Sequence, residues 1–258
     1  MGFEIKKPLG VGGINSNINT QSRVAFGNMY ATDTFQTTSV SRHLTEASIK
    51  HAIATNPNIK AILKEEGIPA KLNFAELEKI TANHAKATQD IAAGIIENLP
   101  KGLRERVNVK SVKDAALLHD VGKVLIPVEI LNKPGKLNEK EQKIMHRHSE
   151  LGYEILKNTD VDTRTLYLVK YHHQNTSHSG YPAVKNDFFA DINLQILAAS
   201  DKYSALTEAR PYKEAMDPDK ALAIIYKDVK EGNIHPFVFK ALHDFAKPVL
   251  KEQVKALV

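Results

Sequence analysis

Residues 116–123 read Ala-Leu-Leu-His-Asp-Val-Gly-Lys. Read as the end of a helix, this stretch puts His119 on the face that also carries Val112, Ala115 and Ala116, so the imidazole is directed inward among apolar side chains. Lys123 follows four residues later and is expected to share that face. An adjacent histidine and aspartate at the edge of an apolar stripe would be costly to bury unless something pairs with both.

The pattern recurs outward from this stretch. In a long helix expected over about residues 73–98, Phe74, Leu77, Ile80, His84, Thr88, Ile91 and Ile95 recur at spacings of three or four. After Asn138, the residues Ile144, His148, Leu151 and Ile155 do the same, whereas His146 lies roughly 200° round the helix from His148 and is expected to face water. His172 keeps step with Leu166 and Val169, and Asp201 with Leu194, Leu197 and Ala205. A single histidine on an apolar face is most simply a hydrogen-bonded core residue. Inward polar groups on five separate helices need a shared partner, and divalent metal ions take these donors, neutral imidazole and carboxylate.

Composition narrows the chemistry further. The chain of 258 residues has no cysteine, which excludes disulfides, thiolate metal sites and a cysteine nucleophile. With 42% apolar and 25% charged residues it is ordinary for a globular protein. No run approaches the ~20 apolar residues of a membrane span, and the N-terminus lacks the apolar core of a secretory signal, so a soluble, cytoplasmic protein with no membrane partner is expected. The net charge of +5 is mixed along the chain, which fits a local phosphate pocket and not a duplex nucleic-acid surface.

Residues 1–40 are rich in Gly, Asn, Ser and Thr and read as an irregular N-terminal arm, one that could engage a protein partner. Residues 41–72 read as short helices punctuated by Asn56-Pro57 and Gly67-Ile68-Pro69, and residues 73–258 as the main domain. Ser111 with Asp114, and Asn138 with Glu141, have capping-box spacing, and Asn132-Lys133-Pro134-Gly135 reads as a turn between the two helices. Further helical runs lie near 162–174, 191–207, 217–231 and 236–256. No alternating strand pattern and no internal repeat appear, so the fold class expected is all-α.

Longer words accompany the His-Asp pair: Ile126-Pro127, Ile-Leu-Asn-Lys-Pro-Gly-Lys-Leu at 130–137, Met145 with His148, His172-His173, Gly180-Tyr181-Pro182 and Arg-Pro-Tyr-Lys at 210–213. In this order they resemble the HD superfamily of metal-dependent phosphohydrolases, and within it the HD-GYP branch, whose members hydrolyse cyclic di-GMP or related cyclic dinucleotides in bacterial signalling. The resemblance runs from about His84 to the C-terminal helices. It implies an HD-domain helical bundle with a dinuclear metal site in its core. His84, His119, Asp120 and Asp201 would surround one ion, and Asp120 would bridge to a second held by His148, His172 and His173.

Some members hold a third ion through a glutamate one turn before the first histidine; Ile80 stands there in this chain, so two ions are expected. Iron or manganese suits the donor-rich set better than zinc, nickel or magnesium. The implied reaction is in-line attack on phosphorus by a hydroxide between the ions. Asp120 and Lys123 would be the catalytic pair, and Lys123, Gly180, Tyr181, Arg210 and Lys213 would meet the substrate. Where the family has glutamate, aspartate and glycine, this chain has Gln174, Ser177 and His178, which removes two negative charges and leaves the substrate open. An HD-type hydrolase for another nucleotide or a phosphomonoester, and a non-catalytic nucleotide-binding or protein-interaction module, are the alternatives.

Overall fold

The computed structural model describes residues 46–209 and 214–247, and within the long helix leaves aside the side chains of residues 76, 77 and 79–82. The arm expected over residues 1–40, any partner it engages, the phosphate contacts expected of Arg210 and Lys213, and the side chains of Leu77 and Ile80 therefore lie outside the described residues. The helical run expected to 256 is described only to residue 247.

All regular elements among the described residues are helical. We label them α1 (Glu46–Thr55), α2 (Pro57–Glu66), α3 (Phe74–Asn98), α4 (Val109–Leu118), α5 (Glu139–Leu156), α6 (Thr163–Tyr171), α7 (Ile192–Thr207), α8 (Pro218–Lys230) and α9 (Pro236–Ala246). A 3-10 turn, Val121–Leu125, and the one-turn helices Lys101–Arg104 and Val128–Leu131 complete the set. No described helix is long and apolar enough to cross a membrane.

The starts of these helices follow from local side-chain chemistry. Asn138 accepts the Glu141 N–H while the Glu141 carboxylate accepts the Asn138 N–H, the reciprocal box expected at the start of α5. Asp162, Asp191 and Asp217 cap α6, α7 and α8 in the same one-way fashion. The start expected at Ser111 is corrected: α4 is capped by Asn108, whose side chain accepts the Ser111 N–H at 3.0 Å. Asn193 Oδ1 accepts the Asn108 N–H at 2.7 Å, so a contact from α7 holds the earlier residue in the capping position, which capping-box spacing alone does not reveal.

The core sits where α3 packs against α4, α7 and α9, while α5 packs against the 3-10 turn and α6. Ile95, Leu151, Ile155, Leu168, Leu194 and Leu197 are fully buried, each contributing roughly 2 kcal/mol of hydrophobic stabilisation. Ile49, Ile59 and Leu63 of α1 and α2 belong to the same core, with α2 lying on α5. Their junction is polar but paired: Asn56 Nδ2 donates to Glu154 Oε2 at 2.9 Å, and Lys157 lies 2.5 Å from the same oxygen. Burial works against the Glu154 charge, but Lys157, Asn56 and Asn58 outweigh it and hold the carboxyl below its ordinary value. Both ends of α5 are thus anchored, which fixes the helix that carries His148.

Candidate metal centre

The structure brings the side chains of His84, His119, Asp120, His148, His172, His173 and Asp201 into one cluster near the centre of the bundle. His84 comes from α3, His148 from α5 and Asp201 from α7. His119 and His172 are the residues that follow the last turns of α4 and α6, and both keep helical backbone angles, so the inward phase of each stripe carries one residue past its helix. Asp120 then begins the 3-10 turn. His84, His119, Asp120, His148 and His172 are each no more than 3% exposed.

Three of the histidines are oriented by one device. The Nδ1–H of His119 donates to the Ala116 carbonyl at 2.9 Å, that of His148 to Met145 at 2.7 Å and that of His172 to Val169 at 2.8 Å. A carbonyl only accepts, so each Nδ1 carries a proton, and in the neutral ring each Nε2 keeps a lone pair aimed into the cluster. Nε2 of His148 and of His172 face each other at 3.2 Å, and Nε2 of His119 is buried with no hydrogen-bond partner among the described residues. Converging lone pairs repel one another unless a cation lies among them, and neutral imidazole held through its other nitrogen is the form in which histidine binds metal.

The carboxylates complete two groups. His84, His119 and Asp201 offer donor atoms within 4.8 Å of one another, and so do His148, His172 and His173. Asp120 stands between them. Its Oδ2 lies 3.4 Å from His119 Nε2 and 3.9 Å from His84 Nε2, whereas its Oδ1 lies 3.5 Å from His148 Nε2. Asp201 turns Oδ1 to His84 Nε2 at 2.9 Å and to His119 Nε2 at 3.6 Å, and Oδ2 to His173 Nδ1 at 4.0 Å. The residues present therefore fit a pair of divalent ions by donor type and by direction.

Electrostatics divide the cluster: His148, His172 and His173 are lowered, whereas His84 and His119, facing the carboxylates, are raised. Burial and neighbouring positive groups push the His148 imidazole down to about 3 and that of His173 to about 4, while His172 falls well below the ordinary histidine value. Burial thus favours the neutral, donor form of all three rings. Burial also disfavours charge at His119, yet Asp120 and Asp201 outweigh it and raise that ring to about 10. A divalent cation would replace the His119 proton as partner of both carboxylates.

Lys123 does not reach the site by the route its spacing suggested. The α-helix ends at Leu118, and the tighter 3-10 turn, with three residues per turn, places Lys123 over Asp120 instead of His119. Its Nζ lies 2.6 Å from Asp120 Oδ2. Ser204 and Glu208 are site residues that the sequence reading missed: Ser204 Oγ and Glu208 Oε2 each lie 3.0 Å from His84 Nδ1. They follow Asp201 by three and seven residues, a helical spacing on one face that would have revealed them.

A sequence profile described as an HD domain matches residues 73–236, more than half of the chain. The chain belongs to the HD-domain family. This HD-domain chain is 40% identical over 139 residues to the cyclic di-GMP phosphodiesterase response regulator RpfG of Xanthomonas campestris, a match spanning 53% of this chain and 36% of that protein. It is 30% identical over 182 residues to 3'3'-cGAMP-specific phosphodiesterase 1 of Vibrio cholerae, spanning 70% of this chain and 40% of the relative. The HD-domain chain thus spans well under half the length of either relative. Its fold resembles that of an HDGYP protein from Bdellovibrio bacteriovorus, with a TM-score of 0.53 at 14% identity over 88% of this chain and 68% of that one.

The positions at which this HD domain departs from the HD-GYP words form a loop clamp. Gln174 is buried, and its Oε1 accepts the N–H groups of Asn175 at 2.9 Å and Gly180 at 3.0 Å while its Nε2 donates to the Pro182 carbonyl at 2.8 Å. Its partners are in the loop, not among the clustered imidazoles. Gly180 is needed for close approach, since a Cβ there would stand 2.0 Å from the His173 carbonyl oxygen. Ser177 bonds Asn175 and Ser179, and His178, with φ of +58°, turns its Nε2 to the Phe188 carbonyl at 3.0 Å. Gln174→Glu is expected to lower stability by about 1–3 kcal/mol, because a carboxylate cannot donate to Pro182 and would set two oxygens against each other. Thermal unfolding checks this; an unchanged midpoint would contradict the clamp.

Proposed function

We propose that this chain is an HD-type metal-dependent phosphodiesterase that opens a cyclic dinucleotide, cyclic di-GMP foremost. The observation that carries the reading is the disposition of Asp120, whose two oxygens face two separate groups of imidazoles, the arrangement required of a carboxylate that bridges two ions. The names of the relatives, which act on cyclic di-GMP and 3'3'-cGAMP, supply the substrate class. Five imidazoles and two carboxylates make a donor-rich, thiolate-free set, so we assign two ions and favour iron or manganese. A cytoplasmic setting belongs to the same reading.

His84, His119, Asp120 and Asp201 would hold one ion and Asp120, His148, His172 and His173 the other. Bound there, the ions supply a water-derived nucleophile at neutral pH and offset the charge of the phosphoryl oxygens. The chain's own residues do the rest. Ser204 and Glu208 hold the His84 ring in register through Nδ1, as the backbone carbonyls do for His119, His148 and His172. Lys123 is the cation beside the reacting diester, suited to the charge that builds on the departing ribose oxygen. Burial, and the nearby charges of Asp201 and Asp120, push the Tyr181 phenol far above its ordinary value, so it stays a hydroxyl able to donate to the substrate.

The test is product chromatography after anaerobic loading with iron or manganese, using cyclic di-GMP, 3'3'-cGAMP, cyclic di-AMP and 4-nitrophenyl phosphate. Opening of a cyclic dinucleotide to its linear form is expected. Cleavage of the phosphomonoester alone would assign the site to the alternative hydrolase class, and tight binding with no cleavage would make the chain a nucleotide-binding module.

A further inference from the structure

The catalytic reading leaves His146 unused, yet its ring is held in a defined place. His146 and Tyr181 are stacked, with centroids 3.7 Å apart and planes 11° from parallel. Tyr181 in turn packs on His173 at 4.6 Å and meets His148 edge-on at 6.0 Å. The result is a short column of rings, His173, Tyr181, His146, that begins in the metal cluster and ends at the surface. His146 is exposed, whereas Tyr181 is mostly covered, so the open ring face at the end of the column belongs to His146.

Two features make this column a fixed surface. His146 and His148 lie on one helix, two residues or about 3 Å of rise apart, so the column's outer ring is tied to the cluster by backbone. The loop bearing Tyr181 is pinned from beneath by the Gln174 clamp. Among the described residues no side chain bonds the His146 ring nitrogens, and the ring contact that His146 makes is the stack on Tyr181. With Tyr181 taken up by imidazoles, a planar ligand group has the His146 face to stack on, while Tyr181 contributes an edge and a hydroxyl.

We propose that His146 is the base-stacking platform of the substrate site and takes a purine of the bound nucleotide against its outer face. The inference deepens the cyclic-dinucleotide reading and rests on it. A base stacked there stands beside the cluster in which its phosphodiester reacts, one ring beyond Tyr181. Base stacking on an aromatic ring is typically worth tenfold or more in affinity.

The sequence offers a direct probe, because the protein has no tryptophan. His146→Trp makes a single-tryptophan protein whose emission reports a purine stacked at that position. Saturable quenching by GMP, with none by ribose 5-phosphate, is expected; equal responses to the two ligands would overturn the platform. In steady-state kinetics with the cyclic dinucleotide, His146→Ala is expected to raise KM about tenfold with little change in kcat, and His146→Phe to restore it. An unchanged KM in His146→Ala would also overturn the proposal. Failure of the unsubstituted protein to cleave any cyclic dinucleotide would strike the functional reading instead, and quenching by GMP would still decide whether a purine docks on this face.

Discussion

Asp120→Ala is expected to abolish turnover, with kcat lower by ~1000-fold or more, and to strip the protein of bound metal. A thousandfold corresponds to about 4 kcal/mol in the barrier. The argument is geometric. Asp120 turns one oxygen to the His84 and His119 pair and the other to His148 at 3.5 Å, a closer approach to the second group than the 4.0 Å between Asp201 and His173. Removing it takes a donor from both groups at once and leaves the Lys123 ammonium, 2.6 Å from Asp120 Oδ2 in the wild type, facing buried imidazoles. Asp120→Asn keeps the volume but has one acceptor oxygen, so it should lose activity as well. Metal analysis beside circular dichroism separates loss of the site from loss of the fold. A folded Asp120→Ala protein that turns over without metal would defeat the mechanism.

The second large effect is expected from a residue that touches no substrate. At Gly122 a Cβ would stand 1.9 Å from the His148 carbonyl oxygen and 2.5 Å from the Gly152 nitrogen. Both are backbone atoms of α5, so neither can swing aside as a flexible side chain would. Gly122→Ala must therefore push the 3-10 turn, with Asp120 and Lys123, away from the helix that carries His148. We expect a loss of about 3 kcal/mol, as for other overpacked sites, and an unfolding midpoint lower by roughly 10 °C. Activity should fall further than stability, because the displacement opens the gap that Asp120 spans. Gly102→Ala is the control: nothing lies within 4 Å of a Cβ at that position. Equal midpoints for the two variants would contradict this account of the close approach.

What was legible in the sequence follows from what is periodic. His84 and His148 lie within helices and Asp201 within α7, so counting by three and four placed them inward. His119 and His172 were legible for the same reason, since the backbone stays helical for the one residue that matters. The His-Asp words and the paired histidines supplied the rest by resemblance. The failures occur where period stops carrying information. Lys123 was assigned to the His119 face because an α-helix was carried across a point where the chain tightens into a 3-10 turn. Ser111 looked like a cap, but Asn193 from another helix holds Asn108 there instead.

The same holds for partners supplied by distant segments. Gln174 read as a lost charge near the metals, and only the folded loop reveals it as a donor to Pro182 eight residues on. His146 was expected to face water and does so with one side, but its stack on Tyr181 joins positions 35 residues apart that no helical count connects. Gly122 needed the position of α5 before its missing side chain acquired a meaning. Helical period thus locates the groups that point inward, and tertiary contact decides what they meet.

Anomalous diffraction at the absorption edge of the loaded metal puts the account at greatest risk. The prediction is two peaks in the bundle core, one enclosed by His84, His119 and Asp201, the other by His148, His172 and His173, with an Asp120 oxygen at each. A single peak, or none, in crystals of protein that cleaves its substrate would contradict it.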